Sequence, residues 1–77
     1  MSEITDQGVG IMTVLANGQT YTLQTGSTVA DLLQGLNVAP ARVVIQLNGN
    51  IISRSDFGTT VLHEGHQLEI VTLVGGG

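Results

Sequence analysis

The sequence predicts an α+β domain, a mixed sheet of about five strands packed on one helix. Three observations carry this prediction. Two β-branched runs each meet an Asn-Gly pair, at Asn17-Gly18 and Asn48-Gly49. Between them, Val29, Leu32, Leu33 and Leu36 recur at helical spacing, and a last apolar run from Gln67 to Val74 leads into Gly75-Gly76-Gly77.

In order along the chain, residues 1–10 are polar, carry Glu3 and Asp6 and show neither period, so they read as a flexible leader. The domain is expected over 11–74, with 75–77 as a mobile tail. Ile11 to Leu15 and Thr20 to Gln24 flank Asn17-Gly18, a pair that accepts the positive φ values of a tight hairpin. Thr28 with Asp31 three residues later predicts a helix start, because the hydroxyl can accept from an orphan amide while the carboxylate reaches back. Gly35 to Asn37 ends the helix and Pro40 follows. Val43 to Leu47 and Ile51-Ile52 predict a second pair of strands about Asn48-Gly49, Phe57 is expected to plug the core from a loop, and Glu64-Gly65 turns the chain into the last strand. Hairpin, helix and further strands together fit a sheet wrapped over one helix face, the β-grasp arrangement of ubiquitin. Val29, Leu32, Leu33 and Leu36 should then pack on Leu68 and Ile70.

Composition narrows the function. Seventy-seven residues make one small domain, and no apolar run approaches the roughly 20 residues needed to cross a bilayer, so no membrane role is expected. The leader lacks a basic segment followed by an apolar one, which points to a cytoplasmic location. With no cysteine there is no disulfide and no thiol nucleophile. Net charge is −4 with Arg42 and Arg54 the only basic side chains, so nucleic acid is an unfitting partner. Lysine is absent, which forbids lysine-linked self-conjugation, although a chain with 10% charged residues can lack lysine by composition alone.

Side-chain chemistry is sparse. His63-Glu64-Gly65-His66 has a spacing that could present two imidazoles and a carboxylate to a metal, but nothing nearby offers a third imidazole or a thiolate. These are expected to be solvent-facing turn residues. Asp31, Asp56, Glu64 and Glu69 are scattered and read as caps, turns or solvated surface, and no glycine-rich phosphate loop stands at a strand-to-helix junction. No bound cofactor is expected. What remains is Val74-Gly75-Gly76-Gly77. Glycines hold a sheet poorly and offer no side chain, so the tail can reach about 10 Å beyond the domain at roughly 3.3 to 3.6 Å per residue. Its one reactive group is the α-carboxylate of Gly77, ionised in the cell and in need of activation, for example as an acyl adenylate made with ATP. Composition alone leaves this open between a working tail and a linker or truncation that ends in three glycines.

At these residues the chain resembles the ThiS-type sulfur carriers of thiamin biosynthesis, over Ile11 to Gly77. The matching pieces are Asn17-Gly18, Thr28-Val29-Ala30-Asp31-Leu32-Leu33, Leu47-Asn48-Gly49, Arg54-Ser55 and Leu68-Glu69-Ile70-Val71 leading to Val74-Gly75-Gly76-Gly77. Two positions depart from the pattern: Ser53 where the family often has proline, and His66 where an aspartate commonly follows the turn. The resemblance implies a protein co-substrate rather than an enzyme. Gly77 would be adenylated by a ubiquitin-activating-like enzyme that uses ATP, then converted to a thiocarboxylate with sulfur from a cysteine-desulfurase persulfide, and the sulfur passed to thiazole synthase. Val74, Gly75 and Gly76 would be the recognised tail. Two alternatives share the fold and the ending, a MoaD-like small subunit of molybdopterin synthase and a ubiquitin-like protein modifier. A plainer one is a β-grasp interaction module without tail chemistry.

Period two along the last strand adds one expectation of its own. If Leu68 and Ile70 face the core, then Gln67, Glu69, Val71 and Leu73 lie on the other face. Val71 and Leu73 are apolar and immediately precede the tail, which marks them as a docking surface for the activating enzyme unless the leader or a loop covers them.

Overall fold

In the computed structural model, which describes residues 10–73, the two Asn-Gly pairs set the frame. Strand β1 (Ile11–Ala16) and strand β2 (Gln19–Gln24) are joined by Asn17 and Gly18 alone, at φ 52° and 81°. Strand β3 (Val43–Leu47) and strand β4 (Asn50–Ile52) are joined in the same way by Asn48 and Gly49, at φ 49° and 90°. Two consecutive positive φ values match the twist of the flanking strands, which is why these pairs close hairpins.

Helix α1 (Val29–Gly35) is short, so its ends decide its stability. At the start, Thr28 Oγ1 accepts from the Asp31 amide at 3.2 Å, and the Asp31 carboxylate accepts from the Thr28 amide at 2.9 Å. The next two orphan amides are also met: Val29 donates to the Thr60 carbonyl and Ala30 to the Phe57 carbonyl, each at 3.0 Å. Phe57, at the end of the short 3-10 turn Arg54–Asp56, is buried in the core and anchors the loop that supplies those carbonyls. At the far end Asn37 takes φ 62°, Val38 donates to the Leu33 carbonyl at 2.9 Å and Asn37 to Gln34 at 3.1 Å, a Schellman closure with asparagine in the left-handed position.

Strand β5 (Gln67–Thr72) completes a five-stranded sheet in the order β2-β1-β5-β3-β4, with β5 parallel to β1 and antiparallel to β3. The regular ladder thus ends two residues before the expected Val74. Leu73 still donates to the Arg42 carbonyl at 2.7 Å, while Val74 and residues 1–9 lie outside the described residues.

Met12, Val14 and Ala16 from β1, Val29, Leu32 and Leu33 from α1, Val43 and Ile45 from β3, and Leu68 from β5 form the core with Phe57 and Leu62. Leu36 and Ile70 pack at its margin. The helix residues thus share one core with Leu68, with Leu32 buried as expected, and removing six fully buried side chains from water supplies roughly 1.5 to 3 kcal/mol each before conformational entropy is set against it. Gly10, assigned by sequence to the leader, accepts from the Thr25 amide at 2.8 Å and extends the first hairpin by one bond.

Candidate functional site: the end of the last strand

Strand β5 is held along its length by groups that the two hairpin turns lend it. Asn48 Oδ1 accepts from the Gln67 amide at 2.9 Å, and the Asn48 amide donates to the Gln67 carbonyl at 2.8 Å. On the other flank the Asn17 amide donates to the Leu68 carbonyl at 2.9 Å. The Asn17 side chain then bonds Ile70 twice, Oδ1 accepting from its amide at 2.7 Å and Nδ2 donating to its carbonyl at 3.0 Å. The asparagine amide thus takes the place of one more β1 residue after the main chain has turned away. Sequence reasoning treated both asparagines as turn residues only, and the sole signal for this second role is that each turn pairs asparagine with glycine.

The side chains of β5 alternate as expected. Leu68 is buried and Ile70 half-buried, while Gln67, Glu69 and Val71 are exposed on the opposite face. Val71 is 49% exposed and Leu73 46%, so among the described residues neither is folded into the core. Val71 stands opposite the half-buried Val44 of β3. Ile51 of β4, opposite Gln46 on that same face, is 68% exposed, an apolar neighbour that the reading of β5 alone did not include. Val74, Gly75, Gly76 and Gly77 lie outside the described residues.

The His63 to His66 turn holds the other end of β5. The Thr13 amide donates to Glu64 Oε1 at 2.9 Å, Gly65 donates to the Thr13 carbonyl at 2.8 Å, and Leu15 to the His66 carbonyl at 2.9 Å. The carboxylate is thus engaged with backbone. His63 is exposed, but His66 is half-buried, which corrects the expectation that both face solvent. His66 Nδ1 accepts from the His63 amide at 3.1 Å and the two rings meet edge to face at 5.3 Å. Burial, and secondarily the neighbouring His63, push the His66 pKa down. Among the described residues no group of three His, Cys, Asp or Glu is placed to hold a metal ion, and no helix is long and apolar enough to cross a membrane.

Comparison with known proteins is decided by a family model. The model of the ThiS family matches residues 13–77, which includes the whole glycine ending. The chain belongs to the ThiS family. The crystal structure of the thiamine biosynthesis protein ThiS from Geobacter metallireducens superposes on this ThiS-family fold with a TM-score of 0.72 at 33% identity, covering 86% of this chain and all of that one. A thiazole synthase of Magnetococcus marinus is 38% identical over 66 residues, and one of Paramagnetospirillum magneticum is 32% identical over the same length. Each alignment takes 86% of this chain but only 20% of the thiazole synthase, so the chain spans about a fifth of the length of those relatives. The ThiS-type recognition and the mixed sheet on one helix agree with the sulfur carriers that the sequence motifs resemble.

Proposed function

We propose that this chain carries sulfur on the C-terminal carboxylate of Gly77 for thiazole formation in thiamin biosynthesis. The observation that carries the reading is the family match running through Gly77, on a chain whose β5 leads directly toward that ending. A Gly77 carboxylate oxygen attacks the α-phosphorus of ATP in the active site of an adenylating, ubiquitin-activating-like enzyme, and pyrophosphate leaves. The terminal sulfur of a persulfide, supplied through a cysteine desulfurase, attacks the acyl carbon and AMP leaves, giving an acyl disulfide. A thiol then attacks the donor's own sulfur, forming a disulfide with it and releasing the thiocarboxylate. The thiocarboxylate delivers its sulfur to thiazole synthase, a partner suggested by the relatives that bear that name.

The chain's own part is placement. Val74 leads into Gly75 and Gly76, which present the carboxylate in a cleft too narrow for side chains, and Val71 and Leu73 dock the domain on the activating enzyme. ATP is bound by that enzyme and not by this domain.

Intact-mass measurement after native purification tests the reading. A gain equal to one oxygen-for-sulfur exchange, located on Gly77, is expected; an isopeptide adduct with another protein would favour the modifier reading, and an unchanged mass in cells actively making thiamin would count against both. Extending the chain by one residue beyond Gly77 moves the carboxylate out of line with the α-phosphate, so ATP–pyrophosphate exchange should collapse. Equal exchange with native and extended tails would overturn the mechanism.

A further inference from the structure

Backbone parity along β5 exposes an open sheet edge at the base of the tail. The Ile70 amide and carbonyl both face Asn17, on the β1 flank, whereas the Leu73 amide faces Arg42, on the β3 flank. Groups on a strand alternate between its two neighbours, so the Thr72 amide and carbonyl point to the β1 flank. There β1 is gone: its register with β5 stops at Ala16 opposite Leu68, and the Asn17 side chain carries the pairing only to Ile70. Among the described residues the Thr72 backbone has no hydrogen-bond partner, and Thr72 is exposed. Elsewhere β5 is an interior strand, and only here does it behave as an edge.

We infer that this half-open edge of β5 at Thr72 is where an extended strand of thiazole synthase adds to the sheet. The inference rests on the proposed sulfur-carrier function and deepens it. Two observations select this occupant. Three glycines offer a partner no side chain to read, so they can be gripped only through their backbone, and Thr72, two residues before Val74, keeps both backbone groups open on the β1 flank among the described residues. The relatives named thiazole synthase carry a stretch like this chain within one polypeptide, which holds the two at high local concentration and makes a thiazole synthase the partner to expect at an open edge. Strand addition draws its affinity from main-chain bonds and its specificity from flanking side chains. Here those flanking side chains are Val71 and Leu73, and the added strand sets how far the carboxylate projects.

Amide exchange read residue by residue, on the full chain alone and mixed with its cognate thiazole synthase, tests the inference. In the free chain the Thr72 amide should exchange quickly while the Leu73 amide, bonded to Arg42, is slow. In the complex the Thr72 amide should become protected. Thr72→Pro removes that donor without removing a hydrogen bond among the described residues and should weaken the complex about tenfold, whereas Thr72→Val keeps the donor and should bind as well as the native chain. If the proline variant does not fold, the exchange experiment decides alone. A complex that forms with Thr72 still exchanging freely overturns the edge while leaving the carrier function standing. Equal loss in both variants does the same, as does protection that grows with the concentration of this chain alone, which would make a second copy the occupant. No complex at all, together with no sulfur on Gly77, overturns the carrier reading itself.

Discussion

Replacing Asn17 by glycine isolates the two bonds that its side chain makes to Ile70. Glycine accepts the φ of 52° at this position, so the hairpin turn survives and only the side-chain bonds at 2.7 and 3.0 Å are lost. At about 0.5 to 1.5 kcal/mol for each net hydrogen bond, the loss is roughly 1 to 3 kcal/mol. Two further effects accompany it: relief of the left-handed conformation and greater freedom of the unfolded chain. Asn48→Gly carries both at a φ of 49° but loses a single side-chain bond, from the Gln67 amide. Subtracting one variant from the other cancels the turn effects and leaves about one hydrogen bond, near 1 kcal/mol. In a domain of this size that difference lowers the Tm of Asn17→Gly below that of Asn48→Gly by about 4 to 8 °C. Thermal unfolding followed by circular dichroism in one buffer measures it, and the Ile70 amide should exchange faster in Asn17→Gly alone. A Tm for Asn48→Gly equal to or below that of Asn17→Gly would refute the role given to the Asn17 side chain.

Leu32→Ala empties a site only 2% exposed and should lower stability by roughly 2 to 5 kcal/mol in denaturant titration; a loss under about 1 kcal/mol would mean that the helix does not seat on the sheet. Val71→Glu places a charge where the side chain is already half in water, so the Tm should hold while affinity for the activating enzyme weakens by more than about 1 kcal/mol; unfolding, or undiminished binding, would move the docking surface elsewhere. His66 binds its proton less readily folded than unfolded, so its contribution to stability is present above the ordinary imidazole value of about 6.5 and is lost as pH falls through the lowered folded value. The ring should titrate by NMR with a midpoint below about 6.5, and His66→Gln should flatten the fall of Tm on acidification; a midpoint at or above that value would contradict the half-buried setting of the ring.

Local chemistry made much of this fold legible. Thr28 and Asp31 form the capping box, Asn37 takes the left-handed position that ends the helix, and both Asn-Gly pairs turn hairpins, because each of these depends on residues within a few positions of one another. Period two also put Val71 and Leu73 off the core, since alternation is a property of the strand alone. The position of β5 between β1 and β3 was not legible, because it depends on pairing between residues more than 50 apart at one end and about 25 apart at the other. The open edge at Thr72 was hidden for the same reason: it exists only because β1 turns away opposite Leu68, a register no neighbouring residue announces. Ile51 joined the apolar face unforeseen, as its orientation follows from the β4 register against Gln46.

The placement of β5 has a mechanical consequence. An enzyme that draws the glycines into a narrow cleft pulls on Leu73 along the strand axis, and that tension enters a strand paired over five positions with β3 and bound on its other flank to β1 and Asn17. Ladder bonds perpendicular to the pull are loaded together in shear, where a strand peeled from an outer position would release them one after another. Under the proposed function the domain would therefore be a rigid handle for its own ending, transmitting traction without unravelling.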